Sequence, residues 1–284
     1  MVCVVILAAL PAAASAAAPA PEPAGEAGLQ VQAPPPGYGI AMTALTLDGR
    51  EFDVVVETGP DGVTRVSDAD AAVTASSASA AAVKSACTDR KYVLQKFRWT
   101  RPWEWRFNAG TTPTGMSRAA VETQLRSAVR SITNARNDCG IPDRVNAKAR
   151  YLGRTSRKTS VRSDAGCAAW DGQNVVAFGN LPPYIAGVTC SLYTVRAQGR
   201  GQAIESDVLL NRRHHRWAIR PKSCSGNQVV LRAVATHEFG HVFGLGHVRE
   251  DRHPHLTMSE SIRPCDDSAF TLGRGDILGL EKLY

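Results

Sequence analysis

The chain has 284 residues, 44% of them hydrophobic, 6% aromatic and 21% charged, with a formal net charge of +7. This suits one main domain with a smaller accessory segment. No Lys/Arg run is interleaved with aromatic residues, so the positive charge does not point to a nucleic-acid partner.

In chain order, "MVCVVILAALPAAASAAAPA" is an apolar run stopped by Pro11 and followed by Ala14-Ser15-Ala16. Small residues after such a run mark a secretory cleavage site, so 1–16 reads as a signal peptide. The run is too short to span a bilayer, and no membrane anchor is expected. Export without the signal peptide removes Cys3 and leaves Cys87, Cys139, Cys167, Cys190, Cys224 and Cys265. An even number of widely spread cysteines in a secreted chain implies disulfides, and no CxxC pair suggests a thiolate metal site. Connectivity cannot be read from spacing; pairing in sequence order is the expectation, with Cys224 and Cys265 bracing the segment between them.

Residues 17–86 form an N-terminal segment of net charge about −6, which leaves about +13 on 87–284. Residues 17–36 are rich in Ala, Pro and Glu and read as disordered. From 38 to 66, β-branched runs separated by Asp48-Gly49 and by Gly59-Pro60-Asp61-Gly62 predict a small β-meander, which must lean on the main domain because three strands bury little. Residues 67–86, almost all Ala, Ser, Val and Asp, read as a protease-sensitive linker. The charge opposite to the body makes 17–86 a candidate propeptide that inhibits within the same molecule.

The globular composition starts at Cys87. "WEWRFN" alternates Trp103, Trp105 and Phe107, a half-buried strand. Ser117 can cap a helix with Val121, Leu125, Ala128, Val129 and Ile132 on one face, ending near Asn137. Strands are predicted at 145–152, 174–179, 185–196 and 202–210, a second helix at about 228–243, and a closing helix in "GDILGLEKLY". A sheet with three helices gives an α/β or α+β domain.

The stretch "THEFGHVFGLGH" carries His237, Glu238, His241, Gly244 and His247. On a helix, His237 and His241 lie four residues apart on one face and can converge on one ion, with Glu238 beside the metal and not on it. Gly244 can take a positive φ, end the helix and let the chain return with His247. Three imidazoles leave a fourth tetrahedral position for water on Zn2+, the mark of a catalytic site, and Glu238 then suits a general base.

"HEFGHVFGLGH" resembles the zinc signature of the metzincin metalloproteases, and "LTMSE" supplies Met258 where that clan has its methionine turn. "LGRGDILGLEKLY" and "ESDVLLN" are similar to the closing helix and a strand of matrixins, of bacterial secreted type. The resemblance implies a mostly parallel five-stranded sheet over the active-site helix, His237, His241 and His247 as ligands, Glu238 as base, and Gly244 and Met258 as supports. It implies a secreted, monomeric zinc endopeptidase over 87–284, acting on protein or peptide substrates held against an edge strand. Glu260 stands where other metzincins have a tyrosine ligand. No motif supports Ca2+, and the matrixin loop for structural zinc and calcium is not found, so disulfides are expected in its place.

Competing functions are an exported zinc-containing binding protein without catalysis and a zinc hydrolase of cell-wall amides. Cys139 in "NDCGIPD" resembles the cysteine that keeps matrixins latent, but its place after the first helix favours a disulfide. His214 and His215, adjacent in "RRHHRW", read as surface residues, His253 and His255 as a solvated loop, and Asp207 as a strand-end carboxylate.

Overall fold

The computed structural model describes residues 31–50, 52–68 and 84–284; the signal peptide and most of the linker expected from the sequence lie outside these residues. The main sheet is built from β1 (Tyr38–Thr46), β2 (Asp53–Thr58), β3 (Thr64–Asp68), β4 (Trp103–Phe107), β5 (Ala149–Arg154), β6 (Asn174–Gly179), β7 (Ile185–Thr194) and β8 (Gly201–Asn211). Their spatial order is β3-β2-β1-β7-β8-β6-β4-β5, and Phe97–Arg98 adds a ninth, short strand beside the start of β8. The helices are α1 (Arg118–Thr133), α2 (Leu231–Val242) and α3 (Arg274–Leu283).

The expected count of five strands is therefore too small. Five strands, β5-β4-β6-β8-β7, do form a block, parallel except for β7 against β8. The N-terminal meander, however, joins it and does not lie apart. β1 pairs antiparallel with β7 along its whole length, from Tyr38 opposite Thr194 to Thr46 opposite Ile185. β7 has its second edge satisfied by this pairing, as backbone amides and carbonyls at a buried sheet position require.

Side-chain alternation places β1 between two cores. Ala41 and Leu45 enter the main core, while Ile40, Met42 and Ala44 enter a second one on the opposite face. β2 does the same, with Val55 on the first side and Val54 and Val56 on the second. Asp53 shares the Val55 parity and so faces the helices. The second core is closed by Val161, Ala165 and Cys167 of the connection between β5 and β6 and by Leu181 just after β6.

The local readings hold with shifted ends. In β4, Trp103, Trp105 and Phe107 are buried and Glu104 and Arg106 half-buried. The Ser117 hydroxyl accepts from the Ala120 amide at 3.3 Å, and the predicted apolar face of α1 is buried. That helix ends at Thr133, short of Asn137, because the Asn137 side chain accepts from the Cys139 and Ile141 amides and builds its own turn. α2 starts at Leu231 because Gln228–Val230 is drawn into parallel pairing with Arg216–Ala218. Three disulfides join Cys87 to Cys139, Cys167 to Cys190 and Cys224 to Cys265, the sequential pattern. No helix among the described residues is long and apolar enough to cross a membrane.

Candidate metal centre

Eleven of the twelve residues of α2 are buried, all but Arg232. The helix is buried on nearly every side although it carries Thr236, His237, Glu238 and His241, and it lies against α1 and β7. His237 and His241 project from one face, with their Nε2 atoms 2.9 Å apart. After Phe243, Gly244 takes φ +86°, and any Cβ there would stand 2.6 Å from the Phe97 carbonyl oxygen. The chain reverses, Leu245–Gly246 pairs antiparallel with Val93–Leu94, and His247 returns with its Nε2 3.0 Å from both others.

The remote ring nitrogens decide what the near ones can do. His237 Nδ1 donates to the Thr257 carbonyl at 2.7 Å and His241 Nδ1 to the Leu245 carbonyl at 2.9 Å. His247 Nδ1 lies 2.8 Å from a carboxylate oxygen of Asp53. A proton on each Nδ1 leaves three Nε2 lone pairs aimed at one another, an arrangement that a shared cation satisfies. The donor set therefore fits a metal ion, and imidazole nitrogens suit zinc. Burial, and then the neighbouring His247, hold His237 and His241 well below the ordinary imidazole range. Burial also acts downward on His247, but Asp53 outweighs it and raises that ring.

Glu238 is fully buried beside the cluster, its Oε2 accepting from the Thr189 hydroxyl at 2.6 Å. Burial pushes its carboxyl up to about 8, with Thr189 acting in the opposite direction. Gly187 on β7 makes room for it, since a Cβ there would lie 2.6 Å from Oε1. Met258 packs beneath the helix at Gly240, where any Cβ would strike its sulfur. Its turn is held by Asp276 of α3, which accepts from the amides of Thr257 at 2.9 Å, Met258 at 3.3 Å and Gly273 at 2.8 Å. The Thr257 carbonyl that orients His237 is fixed by the same contacts.

The structure thus brings together His237, Glu238, His241, Gly244, His247 and Met258. It adds Asp53 on β2, Gly187 and Thr189 on β7 and Asp276 on α3, which carry no local signature in the sequence, and Gly240 within the motif's own helix, whose part shows only in the approach of Met258. Cys139 is bonded to Cys87, so it offers no thiol to the metal. His215 contacts the Ile185 carbonyl at 2.9 Å, half-buried and not a free surface residue, and with His214 and three arginines lines a separate cavity of about 780 Å3. His253 Nδ1 lies 2.6 Å from the buried carboxylate of Asp89, away from the three-histidine cluster, which corrects the solvated-loop expectation for this residue. Asp207 is not at a strand end. It is buried within β8, accepts from the Val175 amide at 2.6 Å and from Ser160, and anchors the connection that Cys167–Cys190 also ties to β7.

Residues 191–284 match the peptidase family model described as Matrixin. No curated protein matches the chain. The match takes in α2, the reversal at Gly244, the Met258 turn and α3, and over these residues the chain is similar to matrixins, with His237, His241 and His247 placed so that they could hold a metal ion.

Proposed function

We propose that this protein is a secreted zinc endopeptidase in which Glu238 is the general base. The observation that carries the reading is the convergence of three imidazole Nε2 atoms within 3.0 Å, with one buried carboxylate beside them and not among them. A purely structural site has no use for that carboxylate. Zinc held by His237, His241 and His247 would supply a Lewis acid and lower the pKa of water to about 7. Glu238 takes the proton of the attacking water and delivers it to the departing amine, so peptide hydrolysis needs no covalent intermediate on the protein. Asp53, Thr257 and Leu245 hold the rings in the tautomer that leaves Nε2 free. Three disulfides fit an oxidising compartment and support export.

The test is casein hydrolysis by the zinc-loaded protein, whole and after limited proteolysis within 67–86, beside Glu238→Gln matched for bound zinc. The expected result is hydrolysis by the native side chain and a loss of roughly 10²–10⁴-fold in the variant, the usual worth of a positioned base. Equal rates in the two would remove Glu238 from the chemistry. Silence in every form would favour the non-catalytic zinc protein.

A further inference from the structure

We propose that the cavity at the carboxyl ends of β4, β6 and β8 is a binding site for a phosphate-bearing ligand, held by the guanidinium groups of Arg212, Arg213 and Arg216. The cavity shares no residue with the three-histidine cluster, so the proposal stands apart from the peptidase reading.

The place follows from the sheet. β4, β6 and β8 are adjacent and parallel, so the loops that follow them emerge at one end. Those loops supply residues 112–116, Asn180 and residues 212–217, which together with Gln228 line a cavity of about 780 Å3. The crevice outside the carboxyl ends of parallel strands is where open α/β sheets bind their ligands, and the volume is that of a small-molecule site. The arginine loop is fixed at its root by Asn211, which is fully buried. Its Oδ1 accepts from the Arg213 amide at 3.0 Å, and its Nδ2 donates to the carbonyls of Pro182 at 3.0 Å and Ile185 at 2.8 Å. The Arg212 amide donates to the Gly179 carbonyl at 2.8 Å, so the backbone that carries the guanidiniums is tied to both neighbouring strands.

The charge there is one-sided. From 208 to 237 the chain carries Arg212, Arg213, Arg216, Arg220, Lys222 and Arg232 and neither Asp nor Glu. Three of these guanidiniums line the cavity, no carboxylate does, and none of the three forms an ion pair among the described residues. Like charges gathered on one wall repel, and a bound anion removes that cost. The wall also selects the class of anion. The planar guanidinium fork matches pairs of phosphate oxygens and keeps its charge at any physiological pH. His215 adds no charge, since burial holds it below the ordinary imidazole range and its Nε2 donates to the Ile185 carbonyl at 2.9 Å. The indole of Trp217 is turned inward: its Nε1 donates to the Asn211 carbonyl at 3.0 Å, and its ring meets that of Phe178 edge-on at 5.8 Å. Nucleic acid is held by bases stacked on exposed rings, and extended peptides by pockets for their side chains. This wall, mostly Arg, His, Thr, Asn and Gln, suits instead a hydrophilic ligand recognised through its phosphate oxygens.

The experiment is isothermal titration calorimetry of the full chain with inorganic phosphate, with a glycerol phosphate oligomer and with polyglutamate, at neutral pH and physiological ionic strength. The triple variant Arg212→Gln, Arg213→Gln, Arg216→Gln is compared with a control, Arg144→Gln, Lys158→Gln, Arg196→Gln, which lowers the net charge equally at exposed positions outside the cavity. All three proteins carry the same metal, so any affinity of the ion itself for phosphate cancels. The expected result is binding at one site, roughly tenfold weaker in the cavity variant and unchanged in the control. Tighter binding of the oligomer than of inorganic phosphate would identify a phosphate polymer as the source, and equal affinity a free phosphate; either supports the site. All six substituted side chains are exposed, so circular dichroism should match that of the native chain. Arg213→Glu alone should weaken binding in the same direction, which keeps the test intact if the triple variant fails to fold. No binding by the native chain, an equal loss in cavity variant and control, or polyglutamate bound as tightly as the phosphate oligomer would each overturn the proposal.

Discussion

At the scale of single residues, the carboxylates away from the metal show how burial sets charge. Glu205 is 2% exposed, and burial raises its carboxyl to about 7 even though it accepts from the Asp171 and Gly172 amides. Asp207, two residues along the same strand, is raised to about 8 for the same reason. A raised folded-state value means that the unfolded chain releases these protons first. Stability therefore falls as pH climbs from about 4.5 towards 7–8, opposite to the usual behaviour of a paired carboxylate. Glu205→Gln keeps a carbonyl acceptor for the two amides and removes the titration, so the fall in Tm between pH 5 and 7 should shrink by about 2–4 °C, measured by calorimetry. An identical slope in the variant would show that Glu205 is already ionised at pH 5.

At the scale of elements, α2 forms against its own sequence in two respects. It lacks a side-chain N-cap, and it contains Gly240 in its interior, a residue that costs a helix about 1 kcal/mol relative to Ala. Tertiary packing explains both, because Gly240 is the place where Met258 meets the helix between the two metal-facing histidines. Gly240→Ala should accordingly destabilise the protein by about 1–3 kcal/mol in urea unfolding, overpacking outweighing the gain in propensity. A more stable variant would mean that Met258 moves aside at little cost. α3 has a similar double role, since Asp276 in its first turn caps the helix and clamps the Met258 turn. Helix positions were legible from the 3.6-residue period because burial of one face is local information. Helix ends were less so: Asn137 and Gln228 were claimed by a side-chain turn and by strand pairing, which the period does not register.

At the scale of the whole molecule, one sheet links the N-terminal meander to the metal centre, and metal binding should be felt throughout. The three histidines converge only in the folded chain, so zinc at about a thousand times its Kd should add about 4 kcal/mol, or roughly 10 °C in Tm. Thermal unfolding followed with zinc and with a chelator checks this; equal Tm values would show that the cluster holds no zinc in the folded protein.

The sequence by itself determined the helix-borne His237 and His241, the glycine reversal at Gly244 and the return of His247, because each depends on spacing within a short stretch of chain. The sequential disulfides and the meander's dependence on the main domain were also expected from it. Only the tertiary structure decided that the meander would lie on β7, that Asp53 would stand behind His247, and that Thr189 and Gly187 would shape the place of Glu238. Strand partners distant in sequence are chosen by matching faces and edges in space, and hydrophobic alternation in β1 specifies which side chains point inward without specifying the strand beside it.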